Sequence, residues 1–89
     1  MEKVLLSTTG NVTGNSESVD INRFPELLAV FTVESAGTLK IQGSLDGTTW
    51  IDLHTALTAT GGLVITSFPR IRGVSSDVSG GAVTITVRG

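Results

Sequence analysis

Apolar residues in this chain recur at every second position rather than every third or fourth. In Ala82–Arg88, Val83, Ile85 and Val87 alternate with Thr84, Thr86 and Arg88. In Thr38–Leu45, Leu39, Ile41 and Leu45 alternate with Lys40, Gln42 and Ser44. Successive side chains of a strand point to opposite faces, so this period predicts β-structure with one face buried. Eleven glycines and two prolines cut the apolar stretches into short blocks, a rhythm that suits a sandwich or small barrel. The fold class expected is all-β: a single antiparallel β-sandwich, jelly-roll-like, with about eight short strands. Residues 1–89 form one domain, with no linker or internal repeat.

The strands expected are Lys3–Thr8, a half-polar edge near Ser16–Ile21, Leu27–Val33, Thr38–Leu45, Trp50–Leu53, Leu63–Ser67, Arg70–Val74 and Ala82–Arg88. Phe24-Pro25 breaks the chain, and His54–Gly62 and Ser75–Gly81 read as loops. Leu27–Val33 is apolar on both faces, which places it mid-sheet or under a partner. Asp46-Gly47 marks a hairpin. A two-residue turn would set Trp50 opposite Gly43, whose missing side chain leaves room for the indole. A three-residue turn with a bulge would instead put Ile51 and Leu53 on the Leu39/Ile41 face. A one-residue slip exchanges the faces.

A chain of 89 residues has a thin margin of stability, and disulfides, metals or oligomerisation commonly supplement it. There is no cysteine and only one histidine, His54, so disulfides, thiolate sites and multi-histidine sites within one chain are excluded. Charged residues are 16% of the chain, against ~25% in an average domain. Some apolar surface is therefore expected to be covered by another subunit or a partner. The net charge of −2 and the lack of a basic stretch argue against nucleic acid and membrane surfaces. No apolar run approaches ~18 residues, and Met1–Ser7 lacks a signal peptide's layout. Synthesis in a reducing cytoplasm is expected.

No residue pattern points to catalysis, a cofactor or a metal. His54 has no nucleophile motif around any serine, and reads as a surface or interface residue. Asp46 and Asp52 would be the carboxylate pair of a glycosidase, but so short a sandwich has little material for a cleft. Asp46 reads as the turn residue before Gly47. Asp46, Asp52 and Asp77 lie near loops without a calcium-binding cluster. Trp50, the single tryptophan, reads as a core residue rather than a sugar platform. Arg70 and Arg72 share a strand face, with Arg88 on a possible neighbour. They read as salt-bridge partners at a subunit interface rather than as a nucleic-acid stripe.

The segment Leu39–Leu53 contains Ser44-x-Asp46-Gly47-x-Thr49-Trp50, which resembles the S-x-D-G-x-T-W hairpin of discoidin-like and carbohydrate-binding-module-like β-sandwiches. The same hairpin, followed by an Arg-containing strand (Phe68-Pro-Arg-Ile-Arg72), a Ser/Gly loop and a terminal strand like Gly81–Val87, is similar to small structural proteins of tailed bacteriophages. That resemblance implies a head-decoration or cement-like virion protein, made in the bacterial host cytoplasm. It implies a homo-oligomer, trimeric by preference, bound to the major capsid or another virion protein. The alternative it leaves open is a carbohydrate-binding or adhesion module of a tail or fibre. The subunit or partner contacts expected are Leu5, Leu27, Ala29, Phe31, Val33, Arg70 and Arg72. Ser44, Asp46, Gly47 and Trp50 are expected to form the hairpin and core.

Overall fold

Alternation of β-branched and polar residues builds eight strands and no helix in the computed structural model, which describes all residues, Met1–Gly89. They are β1 (Glu2–Thr8), β2 (Glu17–Ser18), β3 (Glu26–Val33), β4 (Ala36–Ser44), β5 (Ile51–Leu57), β6 (Gly61–Thr66), β7 (Arg70–Ser79) and β8 (Val83–Arg88). Two four-stranded antiparallel sheets result, ordered β1-β8-β3-β6 and β2-β7-β4-β5. The pairs β1/β8, β2/β7, β3/β6 and β4/β5 are nested, as in a long hairpin rolled upon itself. This is the jelly-roll-like sandwich expected, with first and last strands side by side.

The core draws on the inward face of each strand. Leu27, Ala29 and Phe31 of β3, Ile65 of β6 and Val83, Ile85 and Val87 of β8 are buried against Leu39 and Ile41 of β4 and Ile71 of β7. Adjacent Leu5 and Leu6 are both buried. A register shift between Val4 and Leu6 interrupts the pairing with β8, and such a bulge releases strict alternation. The second sheet approaches the first closely at glycine. A Cβ on Gly73 would stand 2.8 Å from Ile85 Cδ1, well inside contact distance.

Several boundaries differ from those expected. The second strand shrinks to Glu17–Ser18 because a turn follows at Ile21–Arg23, where the Asp20 carboxylate accepts the Asn22 and Arg23 amides at 3.1 and 3.4 Å. β5 continues past Leu53 into the Thr-rich segment, through an irregular register and Ala56 at φ 57°. β7 runs on into the expected Ser/Gly/Asp loop as far as Ser79. Its polar end is held from outside the strand: Ser75 Oγ donates to Gly10 O at 2.7 Å and accepts from Val12 N at 3.0 Å. Buried to 3% exposure, that hydroxyl finds its own partners in these two backbone groups.

Candidate interaction surfaces

The register of the first sheet assembles an apolar outer face. Pairing of β1, β8, β3 and β6 aligns Glu2, Arg88, Leu28 and Val64 in one row, and Val4, Thr86, Val30 and Gly62 in the next. Val4, Leu28, Val30 and Val64 are 58%, 43%, 44% and 60% exposed. At ~4.8 Å between strands and ~3.3 Å per residue, these two rows across four strands span roughly 250 Å² in projection, a small area on which four apolar side chains stand together. An open depression of ≈420 Å³ lies at one end, lined by Leu28 and Val64 with Glu26 and Arg88 beside them.

This geometry corrects the expected contact residues. Leu5, Leu27, Ala29 and Phe31 are not on an interface but in the core, at 3%, 1%, 0% and 6% exposure. Val33 is half-buried against the same core. Parity is the reason: β3 is apolar at consecutive positions, and pairing to β8 and β6 turns the odd-numbered residues inward and Leu28 and Val30 outward.

The hairpin loop is built from two side chains. Ser44 Oγ accepts the Gly47 amide at 2.8 Å and donates to Asp46 Oδ1 at 3.0 Å, while that oxygen accepts the Thr48 and Thr49 amides, both at 2.9 Å. Gly47 takes a positive φ of 84°, which glycine adopts without Cβ strain. The Thr49 and Thr48 amides and the Ser44 hydroxyl hold the Asp46 carboxyl far below the usual carboxylate range. Asp46 is thus committed to its turn. Ser44, expected on the polar face of its strand, is buried at 1% exposure as the loop's hub.

This loop is longer than either turn considered, and Gly43 pairs with Ile51 rather than Trp50. The space over Gly43 is filled by Phe68, whose ring would lie 2.7 Å from a Cβ there. Trp50 is therefore not a core residue; it is half-buried beneath Arg72, whose guanidinium carbon lies 4.1 Å from the ring centroid. Around it, on the outward face of the second sheet, Asp52, Gln42 and Arg72 share one cross-strand row. Arg72 Nε donates to Gln42 Oε1 at 2.7 Å, and Gln42 Nε2 donates to Asp52 Oδ1 at 2.8 Å. Lys40 Nζ stands 3.7 Å from Asp52.

The arginines do not form one stripe. Arg70 donates to Ser16 Oγ at 3.0 Å on the Arg72 side, whereas Arg88 pairs in register with Glu2 and Leu28 on the opposite sheet. The two ion pairs within the chain use lysines, Lys3–Glu17 and Lys40–Asp52. His54 is half-buried opposite Ile41. No group of three or more His, Cys, Asp or Glu residues could hold a metal. Comparison with family models, curated proteins and solved structures finds no match to the chain.

Proposed function

We propose that this protein is a non-catalytic assembly module of a tailed-phage particle, of the head-decoration or cement type. It forms homo-oligomers, trimers by preference, and binds the major capsid or another virion protein. The observation that carries the assembly reading is the outer face of β1-β8-β3-β6, where Val4, Leu28, Val30 and Val64 stand exposed together. A second copy of the chain is the occupant best matched to this face. Acidic Glu26 and basic Arg88 border its depression, so the face carries charge of both signs to orient a neighbouring copy; in a trimer it meets a different surface of that neighbour, because a patch matched to itself closes a dimer. The phage setting is supported by the resemblance of the Ser44–Trp50 hairpin. A bridging protein of this kind reinforces a shell by adding interface area between capsid subunits.

Co-sedimentation with DNA-free tailed-phage shells tests the role. Saturable binding by the wild type, lost in Val30→Lys, is expected. Absence of binding to any such shell would overturn the decoration assignment.

A carbohydrate-binding role is the second reading, favoured by one observation: Trp50 lies on an outer surface beside Arg72, Gln42 and Asp52 rather than in the core. Titration with neutral and acidic oligosaccharides, read by Trp50 fluorescence, separates the two. A saturable shift with a neutral sugar would favour the carbohydrate-binding role.

A further inference from the structure

We infer that the outward face of the second sheet is a docking surface for an acidic protein partner, with Arg72 receiving a carboxylate side chain. The nature of the occupant rests on the assembly reading; the carboxylate site itself rests on geometry. Arg72 is held on two sides. Its guanidinium lies over the Trp50 ring at 4.1 Å, and its Nε is engaged by Gln42 at 2.7 Å. Gln42 is itself fixed by Asp52 at 2.8 Å, and Asp52 is flanked by Lys40 at 3.7 Å. Neither Nη group of Arg72 has a hydrogen-bond partner in the chain. A guanidinium so oriented presents a donor edge that a carboxylate can meet in parallel hydrogen bonds, and its ordering cost is already met by the stack and the glutamine.

Charge distribution points to the same occupant. The protein is net negative, with six lysines and arginines in all. Yet Lys40, Arg70 and Arg72 belong to the outward positions of β4 and β7, and the acid in their cross-strand rows, Asp52, is already engaged by Lys40 and Gln42. A basic island on an acidic protein steers and orients an acidic surface. The indole has one face taken by Arg72, which disfavours stacking of a neutral sugar ring. Tryptophan and arginine together are also the residues most often dominant at protein interfaces.

Arg23 supplies an internal contrast. It stands 5.2 Å from the Phe24 ring in an exposed turn, without a glutamine holding its guanidinium.

The test uses deca-glutamate as the probe, with polygalacturonate as the carbohydrate counterpart, and reads Trp50 fluorescence at low salt. Deca-glutamate is expected to bind the wild type and to bind Arg72→Lys about tenfold more weakly or worse, because lysine lacks the planar fork. Arg23→Lys should bind like the wild type. Gln42→Glu, which places a carboxylate against Arg72 from within the chain, should likewise weaken binding about tenfold or more. It keeps the inference testable if Arg72→Lys folds poorly. Equal binding by the wild type and Gln42→Glu would overturn the site, and tighter binding of polygalacturonate than of deca-glutamate would overturn the protein partner. A wild type that is monomeric by light scattering but binds deca-glutamate through Arg72 would refute self-association while leaving this site standing.

Discussion

Leu27 and Leu28 are neighbours of the same type on one strand, and the register of β3 assigns them opposite fates. Leu27 is 1% exposed within the sandwich, and Leu28 is 43% exposed on the outer face. Leu27→Ala should remove the side chain's transfer energy and leave a cavity, costing ~2.7–5 kcal/mol. Leu28→Ala in an isolated chain removes only the buried part of a side chain worth ~1.5–3 kcal/mol when fully buried, hence ~1 kcal/mol. A domain of this size loses ~4–8 °C in Tm per kcal/mol, so Leu27→Ala should melt roughly 10–40 °C below the wild type. Leu28→Ala should fall only ~4–8 °C when dilute.

Concentration separates the two further. If the outer face joins copies of the chain, the wild-type midpoint rises with protein concentration, because association stabilises the folded state by mass action. Leu28→Ala should flatten that rise, and Leu27→Ala should preserve its slope wherever it still folds. Thermal melts followed by far-UV circular dichroism, over a wide range of protein concentration, measure both quantities. Equal destabilisation by the two substitutions, or a greater loss for Leu28→Ala in dilute solution, would refute the assigned parity and with it the assigned outer face.

Other consequences follow from single contacts. Ser75→Ala should cost about 0.5–1.5 kcal/mol by removing the hydrogen bonds to the Val12 amide and the Gly10 carbonyl, and a midpoint unchanged in urea would contradict the tie between β7 and the 10–12 segment. Gly43→Ala forces a Cβ against the Phe68 ring and should destabilise by about 1–3 kcal/mol; the same substitution should cost less in a Phe68→Ala background, which lacks Cγ and Cδ1, and an equal cost in both backgrounds would refute the contact. Ser67→Ala removes a buried hydroxyl with no hydrogen-bond partner, so its urea midpoint should equal or exceed the wild type's.

Asp46 sets an acid limit on the hairpin. Its carboxyl is depressed by the Thr49 and Thr48 amides and the Ser44 hydroxyl. The loop's contribution is therefore fully present above the ordinary Asp value of ~3.9 and is lost as pH falls through the depressed folded value. A carboxyl-carbon NMR titration should place the Asp46 midpoint below that of an ordinary aspartate, and an ordinary midpoint would contradict the loop geometry.

The period-two pattern carries the fold class because alternation depends only on neighbours in sequence, as Val83, Ile85 and Val87 illustrate. Where both strand faces are apolar, that signal is silent. Nothing local to Leu27–Val33 says whether Leu27 or Leu28 points inward, and the answer comes from register with β8 and β6. Long-range hydrogen bonding hides the end of β7 in the same way. Ser75–Ser79 has loop composition, but Ser75 is buried through contacts with Gly10 and Val12. The hairpin motif was legible as a turn, with Asp46 and Gly47 in their expected roles. Trp50 was misplaced because Ser44 and Asp46 build a longer loop than two or three residues, and because Phe68 from another strand connection fills the space over Gly43. The Arg72–Gln42–Asp52 row spans three strands, so no window of sequence displays it.

The most direct test of the assembly reading is the solution mass of the wild type and of Val30→Lys by sedimentation equilibrium at matched concentrations. A wild-type mass that is a multiple of the chain mass, trimeric by preference, with a folded monomer for Val30→Lys, is the result expected from an outer face that joins copies of the chain. A wild type that remains monomeric at all concentrations, or an oligomer indifferent to a charge at Val30, would contradict it.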